Sequence, residues 1–192
     1  MKVDILNTNK KYDIIYADPP WSYNDKMRMQ GSHGMIRGAE CFYNTMSLQD
    51  IKSLPIQDIS SENAILFMWV TMPLLDKSFE VMKAWGFNYK TCGFCWVKRT
   101  KNGKIHLGMG HYTRGNAELC LVGTKKQKPK FLTRSLSQIV ESEIRKHSQK
   151  PDEIRDKIVE LCGDVSRIEL FARSSAEGWD CWGNEAPDDD VK

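Results

Sequence analysis

The sequence lacks an apolar stretch long enough to cross a bilayer, and its N-terminus has no apolar signal region. Because a membrane-spanning helix needs about 20 consecutive apolar residues, no membrane association is expected, and the chain is predicted to be soluble and cytoplasmic. Internal repeats are also absent. What is present is a chain of 192 residues, 41% of them hydrophobic, which is enough for one domain with a core of useful size.

Cysteine is present, but not in a pattern that binds metal. Of the six cysteines, only Cys92 and Cys95 have the two-residue spacing of a zinc half-site, and no second pair exists. A structural zinc ion needs four ligands. The sequence therefore predicts no metal site, and the cysteines are interpreted as reduced core residues.

The net charge of +3 is small, but the charges are unevenly distributed. Residues 98–150 hold thirteen Lys or Arg against three Glu, whereas the remainder holds fifteen basic and twenty-two acidic residues. A segment this one-sided favours a polyanionic partner over an ordinary solvated face, and nucleic acid is the natural candidate. The residues expected to contact it are Lys26, Arg28, Arg37, Lys98, Arg99, Arg114, Lys125, Lys126 and Arg134.

Apolar runs alternate with helical patterns along the chain. Strands are predicted at residues 12–17, 64–70, 89–97, 118–122 and 167–171. Most of them are apolar at nearly every position, as expected for central strands covered on both faces. Helix starts are predicted at Ser47, Pro73 and Pro151. This alternation predicts an α/β fold with a mostly parallel central sheet flanked by helices.

The most informative feature is Asp18-Pro19-Pro20-Trp21, which directly follows the first predicted strand. Its carboxylate accepts hydrogen bonds, its prolines offer carbonyls without competing N–H groups, and its indole presents a flat face to a planar ligand. That combination suits the exocyclic amine of adenine or cytosine. The alternative is a Pro-Pro turn after a strand, capped by Asp18. Ligands of parallel sheets bind beyond the carboxyl ends of strands, which is where Asp18 is expected.

Further blocks occur later in the same chain. Asp18-Pro19-Pro20-Trp21 is followed by Tyr43-Asn44-Thr45-Met46, then by the block Lys150 to Ile154, and finally by Glu169 to Arg173 with Trp182 to Glu185. In this order they resemble the MT-A70 family of S-adenosylmethionine-dependent adenine-N6 methyltransferases, from about Tyr12 to Glu185. The resemblance implies a single Rossmann-like methyltransferase domain over residues 1–186, with the catalytic motif first and the cofactor motif last. Residues 187–192 are predicted to be a disordered acidic tail.

The resemblance also implies roles for individual residues. The catalytic set is Asp18, Pro19, Pro20, Trp21 and Tyr43. Asp18 and the Pro19 carbonyl would accept the two hydrogens of the amine. Trp21 or Tyr43 would stack on the base, although both also suit core packing.

On the cofactor side, Lys150 would meet the methionine carboxylate of S-adenosylmethionine, and Arg173, Asn184 and Glu185 would hold the ribose. The chain departs from some relatives at Ser174-Ser175-Ala176, where Ser175 is a candidate contact to the methionine moiety and Ala176 offers no polar side-chain atom. Taken singly, each of these residues also has an ordinary structural interpretation as a surface lysine, an ion-pair partner or a turn residue.

Three functions are compared on this basis. The leading one is transfer of a methyl group to the N6 amine of adenine in nucleic acid, DNA in preference to RNA. A non-catalytic nucleic-acid-binding scaffold subunit is the alternative, but such scaffolds typically lose the catalytic tetrapeptide, and Asp18 is intact. A methyltransferase for protein or small-molecule amines is disfavoured by the basic segment. A second subunit, identical or related, is a candidate partner that would extend the nucleic-acid surface.

Overall fold

The computed structural model describes residues 1–22, 45–126, 129–145 and 149–187. Within them a seven-stranded sheet has the order β5-β3-β4-β2-β1-β6-β7. Its strands are β1 (Tyr12–Ala17), β2 (Ser60–Val70), β3 (Asn88–Arg99), β4 (Ala117–Thr124), β5 (Ile139–Glu143), β6 (Arg167–Leu170) and β7 (Asp180–Trp182). The helices are α1 (Leu48–Ser53), α2 (Ile56–Ile59), α3 (Leu75–Ala84) and α4 (Glu153–Cys162).

The predicted α/β architecture is confirmed. β1 is parallel to β2 and β6, β6 is parallel to β7, and β3 is parallel to β5. Only β4 runs against its two neighbours. All the predicted strands exist, whereas β5, β7 and the one-turn helix α2 are additional elements. No helix among the described residues combines the length and the apolar content that a membrane crossing requires.

The strands are apolar throughout because helices cover both faces of the sheet. On one face, Ile15, Leu66 and Met68 pack with the side chains of α1 to α3. On the other face, Ile14 and Phe67 join a second cluster that includes Ile154 and Ile158 of α4. Successive strand residues point to opposite faces, so both sets of positions must be apolar. This arrangement confirms that these apolar runs are central strands of the sheet.

The helix ends follow the predicted capping signals. The Ser47 hydroxyl accepts a hydrogen bond from the amide of Asp50 at 3.1 Å, at the start of α1. Gly86 follows α3 with φ +81°, and Gly163 follows α4 with φ +90°. Glycine populates this left-handed region at little cost, whereas a side chain there is strained. Pro73 lies in a short 3₁₀ turn that leads into α3 rather than in the α-helix itself.

Sheet order brings the two ends of the sequence together. β1 and β6 are neighbours, with Ala17 opposite Leu170, so the residues that follow both strands lie at one edge. We call this the carboxyl edge, and the opposite one the amino edge. Because β4 is antiparallel to β2, its first residues also lie at the carboxyl edge, with Leu119 opposite Val70. Ligand sites of open α/β sheets form at such an edge.

Candidate active site

Asp18 stands at the carboxyl edge directly after β1, and a single lysine links it to a second carboxylate. The Nζ of Lys150 is 2.7 Å from Oδ2 of Asp18 and 3.3 Å from Oε2 of Glu118. The ammonium group also lies 5.6 Å from the ring centroid of Trp69. Glu118 in turn accepts a hydrogen bond from Lys98. Four alternating charges therefore run from the end of β1 across the edge to β3.

Burial and these contacts set the charges of the cluster. Burial alone would lower the pKa of Lys150, but the carboxylates of Asp18 and Glu118 outweigh it and raise that pKa above its ordinary value. Burial also raises the pKa of Asp18, and Lys150 opposes this only in part. For Glu118, the effect of burial is overcome by Lys150 and Lys98, which lower its pKa. Lys150 is thus a fixed positive charge, and Asp18 is the carboxylate that is less stabilised as an anion.

Glu118 is a site residue that sequence reasoning missed. Its Oε2 is buried and accepts no hydrogen bond from the described residues, although Lys150 lies within ion-pair distance. A signal was present in the sequence, because Glu118 is the one acidic residue between positions 98 and 140 and it starts an apolar strand.

The tetrapeptide forms a tight turn whose tryptophan faces inward. The amide of Trp21 donates to the Pro19 carbonyl at 2.8 Å, and the amide of Met46 donates to the Pro20 carbonyl at 3.0 Å. The indole Nε1 of Trp21 donates to the Trp69 carbonyl at 3.2 Å, and the residue is only 5% exposed. Of the two interpretations of Trp21, stacking on a base and core packing, the structure supports core packing. Tyr43, the other proposed stacking residue, lies outside the described residues.

The chain that leaves β6 makes an unusual turn beside Asp18. Phe171 has φ +61°, a left-handed conformation that costs energy for a non-glycine residue. The turn is held from outside by the strand pair β6–β7, since the amide of Ala172 donates to the Trp182 carbonyl at 3.0 Å. A Cβ on Gly183 would lie 2.8 Å from the backbone nitrogen of Ala172. Glycine at position 183 is thus needed for the backbones to approach.

Two adjoining cavities open at this turn, and they share Asp18, Phe171, Arg173 and Glu185. The first is about 150 Å³ and is also lined by Gly183 and Asn184. The second is about 440 Å³ and extends over Lys150 to Arg155 and Glu169 of β6. The structure thus brings Asp18, Lys150, Arg173, Asn184 and Glu185 together around one space, as expected from the sequence. Their individual contacts to a ligand stay predictions.

Ser175 is placed differently from the other predicted cofactor residues. It lines a third cavity of about 310 Å³, whereas its neighbour Ser174 lines both this cavity and the larger of the shared ones. Arg155 also lines both. Its guanidinium group is 2.6 Å from Asp152 and 3.4 Å from Glu169. A half-buried arginine at this junction was not predicted, because nothing in its helical spacing separates it from a surface position.

Burial also perturbs Glu169 of β6, which lines the larger cavity. Burial raises its pKa to about 7, with Arg155 opposing part of the shift. The folded protein therefore holds this proton more tightly than the unfolded chain does. The stabilisation from this group is complete below about pH 4.5, falls as the pH rises toward about 7, and is then fully lost.

We expect Glu169→Gln to flatten this dependence. The free energy of unfolding of the variant relative to the unchanged protein should rise by about 2.5 kcal/mol between pH 5 and pH 8, since one pKa unit corresponds to about 1.4 kcal/mol and part of the shift lies below pH 5. Urea unfolding across this range measures the difference. Glu177→Gln, at an exposed position, is the control and should show a constant offset. A constant offset for both variants would contradict the assignment.

The basic residues predicted to contact nucleic acid do not lie together. Arg114 is exposed in the segment between β3 and β4, at the carboxyl edge. Lys98 and Arg99, in the same region, are paired with Glu118 and Glu141. Lys125 and Lys126 follow β4 and therefore lie at the amino edge, where the Lys125 amide donates to the Ala64 carbonyl. Lys26, Arg28 and Arg37 lie outside the described residues.

Arg134 is also distant from the carboxyl edge. Two residues before it, the amide of Leu132 donates to the Leu161 carbonyl, at the C-terminal end of α4. That end of α4 leads into the start of β6, so this part of the chain runs near the amino edge. The structure therefore separates Lys125, Lys126 and Arg134 from Asp18.

Comparison with known proteins agrees with this geometry. The sequence model of the MT-A70 family matches residues 12–185, from the start of β1 to the end of the cofactor block. The chain belongs to the MT-A70 family. It is an S-adenosylmethionine-dependent adenine-N6 methyltransferase.

Individual relatives are similar over different shares of their length. The type II methyltransferase M.MunI of Mycoplasma sp is 36% identical over 95% of this chain and 81% of its own. The N(6)-adenosine-methyltransferase MT-A70-like protein of Drosophila melanogaster is 30% identical over 91% of this chain and 27% of its own. The human N(6)-adenosine-methyltransferase catalytic subunit METTL3 is 28% identical, over 91% of this chain and 28% of its own. This chain thus spans about a quarter of the length of these two relatives.

The described residues fit the cofactor of the MT-A70 family. Asn184 and Glu185 supply an amide and a carboxylate suited to a ribose diol, and both line the smaller cavity next to Gly183. The larger cavity holds the cations Lys150, Arg155 and Arg173 together with acidic groups, which suits an amino acid moiety that carries both charges. Bound S-adenosylmethionine supplies an activated methyl group on a positively charged sulfur.

Proposed function

We propose that the protein methylates the N6 amine of adenine in DNA, with Asp18 as the residue that holds the amine. The observation that carries this proposal is the position of Asp18 at the carboxyl edge, where it lines both of the cavities that suit the cofactor. A carboxylate there can accept a hydrogen of the amine and orient its nitrogen toward the cofactor side of the pocket.

The amine of adenine is a poor nucleophile because its lone pair is delocalised into the ring. Asp18 can accept one of its hydrogens, and the Pro19 carbonyl, which has a second lone pair besides the one used by the Trp21 amide, can accept the other. Two acceptors at fixed positions favour a pyramidal nitrogen and localise the lone pair. Asp18, whose pKa is raised by burial, can also take the proton that the methylated amine loses.

Lys150 and Glu118 act on this step through Asp18. Lys150 is bonded to Oδ2 of Asp18, which leaves Oδ1 available to the amine, and Glu118 holds Lys150 from the other side. Positions fixed before binding cost no reorganisation during the reaction. Both are therefore positioning residues in this proposal.

DNA is favoured over RNA by the pattern of similarity. The type II methyltransferase is matched over most of both chains, whereas the N(6)-adenosine-methyltransferases are matched over about a quarter of their own length. The target base must leave the duplex or be unpaired to reach Asp18, because the pocket lies inside the carboxyl edge. The exposed guanidinium group of Arg114 at the carboxyl edge suits a contact with the phosphate backbone.

The deciding experiment offers the protein both nucleic acids. Purified protein is incubated with S-adenosylmethionine carrying a labelled methyl group and with DNA and RNA oligonucleotides of matched sequence, and the nucleosides are analysed by mass spectrometry. We expect labelled N6-methyldeoxyadenosine in the DNA. Label found only in RNA would overturn the choice of DNA, and label in another nucleoside would overturn the choice of amine.

The basic residues provide a test of where nucleic acid binds. We expect Arg114→Glu, at the carboxyl edge, to weaken binding of a fluorescent oligonucleotide at low salt and to lower the slope of log affinity against log salt, because a phosphate contact releases counterions. Arg134→Glu makes the same change of charge near the amino edge and is the matched control. A larger loss for Arg134→Glu than for Arg114→Glu would place the nucleic acid on the opposite side of the sheet.

A further inference from the structure

The segment between β3 and β4, residues 100–116, is an ordered projection that we call the β3–β4 loop. Its first half folds back along β3, since the Thr100 amide donates to the Lys104 carbonyl and the His106 amide donates to the Lys98 carbonyl, both at 2.8 Å. Its second half is a closed turn, in which the Gly108 amide donates to the Gly115 carbonyl at 2.8 Å. These bonds give the loop a defined shape without a hydrophobic core.

Two glycines make the outer turn possible. A Cβ on Gly108 would lie 2.5 Å from the Gly115 carbonyl oxygen, and one on Gly110 would overlap with the Thr113 carbonyl oxygen. A side chain at either position would force the turn open. The backbone therefore holds Tyr112, which lies inside this turn, in a place set by local geometry rather than by contacts of its own ring.

The outer turn presents large apolar side chains to solvent. Tyr112 is 102% exposed, and Met109 and Leu107 are 70% and 66% exposed. Single exposed apolar residues are ordinary, but a group of them on one ordered projection marks a contact surface. A fully exposed aromatic ring adds no hydrophobic stabilisation to the fold, which favours a role in contact with a partner.

The charge of the loop indicates what that partner is. Between positions 100 and 116 the sequence has three Lys or Arg and two His but no acidic residue. Lys101, Lys104 and Arg114 form no ion pair with the described residues. Cations interleaved with exposed aromatic and apolar side chains are the combination that binds nucleic acid, in which phosphates meet the charges and bases meet the rings.

The root of the loop is joined to the active site. Lys98, directly before the loop at the end of β3, is bonded to Glu118, which lies directly beyond it in β4. Glu118 is held to Asp18 through Lys150. Tyr112 is six residues from Glu118, so it lies at most about 20 Å from that residue. The β3–β4 loop and Asp18 lie at the same carboxyl edge, so an oligonucleotide that enters the cavity at Asp18 approaches from the side on which the loop projects.

We propose that Tyr112 stacks on a base next to the target adenine and takes the stacking place that the adenine leaves when it turns into the cavity at Asp18. This inference rests on the proposed function, since it assumes nucleic acid at the site. Base flipping costs the unstacking of one base, and an inserted side chain that restores the contact offsets that cost. A ring fixed by a glycine turn loses little further freedom on insertion.

Binding measurements test the inference independently of methyl transfer. The affinity of the protein, loaded with S-adenosylhomocysteine, is measured for fluorescent DNA duplexes of random sequence at several salt concentrations. We expect Tyr112→Ala to weaken binding about tenfold while leaving the salt slope unchanged, because no phosphate contact is lost. Tyr112→Phe, which keeps the ring, should bind normally. Thr113→Ala, the adjacent exposed position, is the matched control.

A second measurement compares native and heat-denatured genomic DNA as methyl acceptors, which requires no knowledge of a recognition sequence. Tyr112→Ala should lose more of its kcat/KM on native DNA than on denatured DNA, since only the native duplex must release its adenine. Unchanged affinity and activity in Tyr112→Ala would overturn the proposal, as would a Phe variant as weak as the Ala variant. A change of oligomeric state in Tyr112→Ala, seen by light scattering, would assign the ring to a protein partner instead.

The two proposals fail in different ways. If the unchanged protein binds nucleic acid through Tyr112 but transfers no methyl group to DNA, the proposed function fails and the role of the ring in binding stands. If methyl transfer to DNA is found and Tyr112→Ala behaves as the unchanged protein, only the inference about the β3–β4 loop fails.

Discussion

Replacing Asp18 by asparagine is expected to lower methyl transfer by about 10²–10³-fold, the size seen when one preorganised polar contact to a reacting group is removed. The variant keeps an oxygen near Lys150 but loses the charge that polarises the amine of the substrate. It also cannot take the proton that the amine loses. Replacement by alanine removes both acceptor oxygens and should abolish the reaction.

The fold should tolerate this change. Burial raises the pKa of Asp18, so its ionised form contributes little to stability, and Lys150 keeps its contact with Glu118. Asp13→Asn, at the other end of the same strand, is the matched control, since Asp13 accepts hydrogen bonds from Ser61 and Ser166 at the amino edge. Rates are measured with labelled S-adenosylmethionine, and stability by urea unfolding. An Asp18→Asn protein as active as the control would remove the carboxylate from the mechanism.

Replacing Lys150 by methionine should have the largest effect on stability. The substitution keeps the length of the side chain but leaves the carboxylates of Asp18 and Glu118 facing each other without their shared cation. Loss of one partner from a buried ion pair costs about 3–5 kcal/mol, because the remaining charge is uncompensated. Activity should fall as well, since Asp18 loses its orientation and its pKa rises further.

A double variant tests whether uncompensated carboxylates cause the loss of stability in Lys150→Met. If the cost arises from uncompensated carboxylates, then adding Glu118→Gln to Lys150→Met should recover part of the lost free energy of unfolding, and a double-mutant cycle measures the coupling. Lys157→Met, which makes the same change at a half-buried lysine of α4, serves as the control. Affinity for S-adenosylhomocysteine, measured by calorimetry in the double variant, then tests the predicted contact of Lys150 with the methionine carboxylate. Independent effects of the two changes would contradict the shared-cation arrangement.

Much of the fold could be predicted because it depends on local patterns. The strands β1, β2, β3, β4 and β6 are near-continuous apolar runs, and the capping residues Ser47, Gly86 and Gly163 act within one turn of their own helices. β7 could not be predicted, since three residues are too few to show a period and the strand exists through its pairing with β6. β5 was hidden within the basic segment, because its five residues Ile139–Glu143 include two glutamates and only two apolar side chains.

The residues of the candidate site also divide into those that the sequence could predict and those that it could not. Asp18, Lys150, Arg173, Asn184 and Glu185 could be predicted because they occur in ordered motifs, and they line the two adjoining cavities, while their contacts to a ligand stay predictions. For Trp21 the sequence left base stacking and core packing open, because a pattern does not show which side of a turn is covered, and the structure places its ring in the core. The set of basic residues was also treated as one surface, whereas β4 carries Lys125 and Lys126 away from Asp18.

The sequence by itself determined the chemistry of this protein: a carboxylate with two prolines after one strand, a second polar block after another, and an alternation that requires an α/β sheet. These features are local, and each is visible within about ten residues. Only the tertiary structure decided that β4 is antiparallel, and this direction brings Glu118 to Lys150 and sends Lys125 to the far edge. The reason is physical, because a strand buried on both faces has the same apolar pattern in either direction, and its neighbours alone select one.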